Sequence, residues 1–141
     1  MSDENEQLKK ELATLKFELV FPNGLVDESC ILNSVEIVRT DVVVDGSVYA
    51  VKTTGENVEV VINNGKYDAG CGSLYNISIW AHDKSHIIIN GGEFITNDDV
   101  NGDANHCIYA SGGSLIEIKG GLFYSNGSSE WLINCQDNTD S

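Results

Sequence analysis

Apolar and polar residues alternate in three short segments of the chain, and each segment ends in the same way. Aliphatic residues two positions apart are followed by an Asn-Gly or Gly-Gly pair and then, two residues later, by an aromatic residue. The aromatics are Tyr67, Phe94 and Phe123, which are 27 and 29 residues apart (94 − 67 and 123 − 94). Such a period is typical of solenoid proteins, whose units stack because one unit alone cannot bury its apolar face.

Each repeat predicts a strand, a tight corner and a buried aromatic ring. Aliphatics that alternate with other residues describe a strand with one buried face. The residues expected to face inward are Val60, Ile62, Ile87, Ile89, Ile116 and Ile118. The glycine of the following pair permits the positive φ of a sharp turn. We expect the three aromatics to stack inside the coil as a core ladder and not as a ligand site.

A second strand is predicted upstream of each corner, where an aliphatic residue, an aromatic residue and an alanine follow one another. Trp80 and Tyr109 each lie 14 residues before the aromatic of their own repeat (94 − 80 and 123 − 109), which predicts strict register between these two strands. Tyr49 is matched to them in the first repeat, although that repeat has extra residues at 52–57. The aromatic of each strand is expected to point outward.

The lines Ile87 to Phe94 and Ile116 to Phe123 resemble those of the right-handed parallel β-helix superfamily, in particular its gut-bacterial and bacteriophage members. The resemblance covers about Val42 to Cys135. It implies an all-β, right-handed parallel β-helix of about three to four rungs, but it does not imply an activity. A further rung begins at Trp131 and lacks its second strand, so we expect either a polar cap or a truncated repeat.

The N-terminal segment has a different pattern, with leucines spaced by four, three and four residues: Leu8, Leu12, Leu15 and Leu19. This spacing predicts a coiled-coil-like helix with an a/d seam, which Pro22 ends. The predicted organisation is therefore a helix for oligomerisation or anchoring at 1–21, a linker or cap region at 22–41, and the β-helix at 42–141. Because an isolated helix of this length is marginal in water, it must pack on something. Self-association and capping of the open β-helix both remain possible.

Charge limits the classes of partner. The 22 acidic and 8 basic residues give a net charge of −14, which repels nucleic acid and anionic membrane surfaces. Apolar runs do not approach the roughly 20 residues of a spanning helix, so membrane insertion is not expected. The first residues also lack the basic and apolar regions of a secretory signal, which predicts a cytosolic protein.

The residue types that carry chemistry form weak patterns. The four cysteines contain no CxxC pair, and the three histidines match no metal or triad motif. The loop with Asp99, Asn101 and Asp103 resembles the start of a calcium loop, but its glycine and its twelfth position do not fit. A solvated acidic loop is the favoured interpretation, and no cofactor is expected.

Outward apolar residues are the positive clue to function. Val61 and Ile88 should point outward on adjacent rungs, and Glu117 should interrupt their stripe on the next. Trp80 and Tyr109 should point outward from another face. Aligned exposed apolar side chains mark a protein interface or, for aromatics, a glycan-stacking platform.

The helix, the linker and the acidic β-helix together look like the fibre and tailspike proteins of bacteriophages. This resemblance implies a non-enzymatic virion structural protein, a head fibre or tail fibre that is assembled in the host cytoplasm. Such proteins are typically homotrimers, anchored through the N-terminus to capsid or tail proteins, with a distal part that contacts host or mucosal glycans. The alternatives are a polysaccharide-degrading tailspike or lyase of the same fold, and a bacterial surface adhesin.

Overall fold

The computed structural model describes residues 2–39, 47–69, 75–97, 104–125 and 132–136. A single α-helix, α1 (Ser2–Val20), is followed by a 3-10 turn (Pro22–Gly24) and then, within these ranges, only by strands. The strands are β1 (Leu25–Val26), β2 (Cys30–Leu32), β3 (Glu36–Val38), β4 (Ser47–Thr54), β5 (Glu59–Ile62), β6 (Lys66–Asp68), β7 (Tyr75–His82), β8 (His86–Ile89), β9 (Glu93–Thr96), β10 (Ala104–Ser111), β11 (Leu115–Ile118), β12 (Leu122–Ser125) and β13 (Ile133–Gln136).

The strands form three parallel sheets, and the chain visits the sheets in turn. The first sheet has the order β1-β4-β7-β10-β13, the second β11-β8-β5-β2, and the third β12-β9-β6-β3. Each set of three successive strands thus makes one coil, and each strand pairs with its counterpart one coil away. This arrangement fits a β-helix-like solenoid. The described residues contain four such coils and the opening strand of a fifth.

The first coil lies where the sequence predicted a linker or cap region. Strands β1, β2 and β3 fall within residues 25–38 and pair with β4, β5 and β6. Ile37 occupies the place of the aromatic, directly beside Tyr67 of the next coil. The opening rung expected around residues 42–46 lies outside the described residues.

The predicted ladders are confirmed in the core. Val60, Ile87 and Ile116 are register partners on adjacent strands, as are Ile62, Ile89 and Ile118. The four members from β5 and β8 are fully buried. Ile118 is 40 % exposed and Ile116 is partly buried, because β11 is the last strand described in its sheet.

The aromatic column is confirmed as well. Phe94 lies between Tyr67 and Phe123, with ring centroids 5.2 and 4.9 Å away and nearly parallel planes. The glycine two residues before each ring, such as Gly92 with φ 117°, has the predicted positive φ. A Cβ on Gly92 would come within 3.0 Å of the Phe94 ring, so the corner requires glycine for space as well as for conformation.

One register differs from the prediction. Tyr109 pairs with Trp80 as expected, but the residue of β4 opposite Trp80 is Lys52, and Tyr49 lies opposite Ile77. The match of Tyr49 to Trp80 is therefore wrong by three residues. Tyr49 lies three residues earlier in its strand than Trp80 does in β7, and the turn after β4 adds only one residue relative to the turn after β7.

Helix α1 closes the N-terminal end of the solenoid. Phe17 and Phe21 are buried in the same core cluster as Ile37 and Val60, and their rings lie 5.4 Å apart. Arg39, only 7 % exposed, makes two hydrogen bonds to the Glu18 carboxylate at 2.7 and 3.2 Å. The guanidinium also donates to the backbone oxygens of Tyr49 and Ala50. The helix is thus fixed to the first coil by apolar packing and by a charged hydrogen-bond network.

Candidate functional site

The outer face of the first sheet carries aromatic residues, and two of its strands interrupt their alternation of inward and outward side chains. Ala50 and Val51 are successive residues of β4, yet both belong to the buried core cluster. Cys107 and Ile108 are likewise successive residues of β10 that both belong to this cluster. Two consecutive inward side chains indicate a bend in the strand, and the residues on either side of the bend then share the outer face.

Five side chains form an aromatic cluster on this face: Tyr49, Lys52, Trp80, His82 and Tyr109. Trp80 is central, with ring centroids 5.9 Å from Tyr49, 5.5 Å from Tyr109 and 5.8 Å from His82. Trp80 and Tyr109 are both partly buried and neighbours in register. The structure therefore brings together the two aromatics that the sequence assigned to an outward face.

Lys52 covers one face of Trp80. Its Nζ lies 3.9 Å from the centroid of the indole ring and 5.7 Å from that of Tyr49. This is a cation–π contact, in which the ammonium is attracted to the negative face of the ring. A sugar would have to displace Lys52 to stack on that face. Tyr109 is covered in a similar way, since the His106 ring stacks on it with centroids 5.4 Å apart and planes 23° from parallel.

Ser111 and His82 supply the polar edge of the aromatic cluster. The Ser111 oxygen accepts a hydrogen bond from Trp80 Nε1 at 2.9 Å, and His82 Nδ1 lies 2.9 Å from the same oxygen. Burial and then the Lys52 ammonium lower the pKa of His82, against an opposing effect of Asp83. In a neutral His82 the tautomer decides whether Nδ1 donates to the Ser111 oxygen or accepts from its hydroxyl.

This Ser–His pair was not recognised from the sequence, because the two residues are 29 positions apart on neighbouring coils. It does not form a catalytic triad within the described residues, where no carboxylate is hydrogen-bonded to His82. Ser111 is also buried behind Trp80. The pair therefore orients the indole.

The outer face of the second sheet carries an apolar stripe. Ile31, Val61 and Ile88 are register partners, and Glu117 follows on the fourth coil as predicted. Val61 and Ile88 are partly buried, whereas Ile31 is 63 % exposed. Ile31 was not identified as part of this stripe, because its coil was expected to be a linker. The signal was present, since Cys30-Ile31-Leu32-Asn33 matches Val60-Val61-Ile62-Asn63 at a spacing of 30 (60 − 30).

Charged residues border the stripe. His86 Nδ1 lies 3.3 Å from Glu59 and His86 Nε2 lies 2.8 Å from Glu117, so the imidazole bridges carboxylates of the coils on either side. On the corner after this sheet, Asn90 donates to Asn63, and Asn63 donates to Asn33, at 2.8 and 2.9 Å. These ladders tie successive coils together through side chains.

The leucine seam of α1 is exposed to solvent. Leu8, Leu12, Leu15 and Leu19 are between 54 % and 81 % exposed. The residues that bind the helix to the solenoid are different ones, chiefly Phe17, Glu18 and Thr14. The helix therefore caps the solenoid and leaves its seam free, so the two interpretations offered by the sequence are compatible with each other.

The calcium hypothesis cannot be placed on the structure, since Asp99, Asn101 and Asp103 lie outside the described residues. Among the residues that are described, no three histidine, cysteine or acidic side chains are grouped so that they could hold a metal ion. The described helix is also not long and apolar enough to cross a bilayer.

Comparison with known proteins identified no relative. The chain matches no protein-family model, no curated protein and no solved structure.

Proposed function

We propose that this chain is a non-enzymatic structural and adhesion protein, a head fibre or tail fibre of a bacteriophage virion built on a right-handed parallel β-helix. The observation that carries the proposal is the pairing of a rigid, capped solenoid with a helix whose leucine seam faces solvent. A solenoid held by stacked ladders suits a spacer. An exposed seam suits attachment, because a leucine row in water is a typical association surface.

The chain would act as a homotrimer, with its N-terminal helix as the element that associates or docks on capsid or tail proteins. The aromatic cluster on the first sheet would contact host or mucosal glycans through the exposed parts of Trp80 and Tyr109. Assembly would take place in the bacterial host cytoplasm, and the mature location would be the virion.

The residues available for catalysis support a non-enzymatic role. Arg39, the only arginine, is buried against Glu18 and cannot reach a polysaccharide as a base. Glu36 and Glu93 lie two coils apart on the third sheet with Lys66 between them. Glu36 forms an ion pair with Lys10 at 3.3 Å, and Glu93 accepts a hydrogen bond from the Tyr124 hydroxyl. Both of these carboxylates are thus already engaged by other side chains.

The test is a glycan array followed by an assay for reducing ends on every polysaccharide that binds. We expect binding without product. Substituting Tyr109→Ala should weaken binding about twofold to twelvefold, the loss of one aromatic contact worth about 0.5–1.5 kcal/mol. Tyr124→Ala is the matched control, because Tyr124 lies on the third sheet and should leave binding unchanged.

Product release would overturn the proposal in favour of the polysaccharide-degrading alternative. In that case Glu36→Gln and Glu93→Gln should abolish turnover. A chain that binds no glycan would retain only the structural part of the proposal, and virion proteins would then be the partners to test by co-purification.

A further inference from the structure

The two functional faces of α1 lie on opposite sides of the helix. At about 100° per residue, the four leucines of the seam fall within about 60° of one another. Ala13 and Phe17, which pack on the solenoid core, lie on the opposite side of the helix. All of the seam residues are more than half exposed. The seam therefore faces away from the solenoid.

The helix lies across the end of the solenoid and not along its side. Thr14 Oγ1 accepts a hydrogen bond from the Glu36 backbone N–H at 2.9 Å, and one turn further on Glu18 binds Arg39. Helix α1 and strand β3 therefore lie side by side and run in the same direction. Strands of a solenoid run perpendicular to the direction in which coils stack. The helix axis is therefore roughly perpendicular to the solenoid axis.

A second copy of this chain is the occupant that the seam fits best. Heptad spacing places Leu12 and Leu19 at a and Leu8 and Leu15 at d, so the seam is complementary to itself. Around it, the e positions are Lys9 and Lys16 and the g positions are Glu4, Glu11 and Glu18, of which Glu18 is already bound to Arg39. In parallel helices e meets g, which joins opposite charges, whereas antiparallel helices would bring like charges together.

Charge also favours approach at this surface. Between Leu8 and Leu19, the three basic residues Lys9, Lys10 and Lys16 outnumber Glu11 and Glu18, whereas the first turns of α1 before Leu8 are acidic. Elsewhere the chain is strongly acidic, since its net charge is −14. Copies that repel each other through their acidic surfaces can therefore meet along the stretch from Leu8 to Leu19 at a lower electrostatic cost.

We propose that copies of this chain form a parallel coiled coil that lies across the capped ends of their solenoids, so that the solenoids project away from the coil axis at roughly a right angle. The proposal rests on the self-association included in the proposed function. It departs from a fibre in which the solenoids run alongside the coil axis and pack side by side. Each solenoid would point outward from the helix bundle.

This arrangement makes a quantitative prediction. Coils are stacked about 4.8 Å apart, so the fourth coil lies about 14 Å further from the helix than the first. In a three-fold assembly with radiating solenoids, the distance between equivalent atoms of two copies grows by about 25 Å between those coils, which is about √3 × 14.4 Å. Side-by-side solenoids would show the same distance at both coils.

The experiment is pulsed electron spin resonance on the full chain, with spin labels attached to a keto amino acid so that the native cysteines are untouched. Asn33 and Lys119 are suitable positions, because both are exposed and occupy the same corner on the first and fourth coils. We expect the label distance to be larger at position 119 by about 25 Å. Equal distances at the two positions would overturn the proposal.

A third label at Glu4 tests the direction of the helices. Parallel helices place these labels about 15 Å apart, whereas antiparallel helices centred on the seam separate them by about 30 Å, given a rise of 1.5 Å per residue. The longer distance would overturn the parallel arrangement.

Mass measurement by light scattering distinguishes this inference from the self-association on which it rests. The full chain should be oligomeric, and Leu12→Asp with Leu15→Asp should make it monomeric without unfolding it, because both leucines are exposed. Val38→Asp is the control, since Val38 is 57 % exposed on the third sheet and lies outside the seam. A monomeric full chain would overturn self-association itself. An oligomer with equal label distances would overturn only the radiating arrangement.

Discussion

The aromatic column gives the sharpest test of the packing. Phe94 has no exposed surface and stacks on Tyr67 and on Phe123. Phe123 is partly buried and has one such partner among the described rings. Replacing each phenylalanine with alanine therefore makes the same chemical change in two environments that differ in burial and in the number of stacked neighbours.

Phe94→Ala should cost about 4 kcal/mol, since removing a buried phenylalanine ring typically costs 3–5 kcal/mol. Phe123→Ala should cost about 2 kcal/mol, because part of that ring is already in water and one stacked pair worth about 0.5–1.5 kcal/mol is lost in place of two. For a chain of this length, about 4 kcal/mol lowers Tm by roughly 12 °C. It is also a large part of a total stability of about 5–15 kcal/mol.

Urea denaturation of the seam-disrupted monomer, followed by far-ultraviolet circular dichroism, measures both costs without a contribution from association. Thermal melts provide the second readout. Equal costs at the two positions would refute the assignment of Phe94 to the middle of a stacked column. A larger cost at Phe123 would show that the C-terminal coil is better covered than its exposed Ile118 indicates.

Three further predictions concern the corner, the aromatic cluster and the thiols. Gly92→Ala should destabilise by about 1–3 kcal/mol through its positive φ and the nearby ring, measured by urea denaturation; a cost under about 0.5 kcal/mol would contradict this. The lowered pKa of His82 means that the unfolded chain takes up a proton there more readily than the folded protein does. The stability that His82 contributes is therefore present above about pH 6.5 and declines as the pH falls through the lower folded pKa. His82→Asn should flatten that part of the urea midpoint profile, and superimposable profiles would contradict the assignment. Burial raises the pKa of Cys107 to about 11, whereas Cys135 is exposed. Iodoacetamide at pH 8 should label Cys135 and spare Cys107 in peptide mapping, and comparable rates would contradict the burial of Cys107.

The repeated part of the fold follows from the sequence because its determinants are local. Val60 and Ile62, the glycine after them and the ring of Tyr67 lie within eight residues, so each repeat specifies its own strand and corner. The first coil was missed because Val35 stands where other coils have the corner glycine, and Ile37 stands where they have the ring. Its match to the next coil lies only in the run that begins at Cys30.

The candidate site depends on contacts between coils, which sequence spacing alone predicts poorly. The position of Lys52 over Trp80 follows from a shift of three residues in β4, and no periodicity reveals that shift. The two faces of α1 are a similar case. Heptad spacing identifies the leucines, but the burial of Phe17 and Phe21 depends on an apolar coil end that the sequence did not locate.

The pairing of each coil with its immediate neighbours has a consequence for how the chain folds. Ile87 pairs with residues 27 and 29 positions away (87 − 60 and 116 − 87), and the other described strand pairings span similar distances. These strand-pair separations are about one fifth of the chain length, and proteins dominated by such non-local pairings fold in milliseconds to seconds. Loss of structure should also be directional. Amide hydrogen exchange should be slowest under the helix and in the middle coils and should become faster towards Leu115 and Leu122, because local unfolding begins at that end.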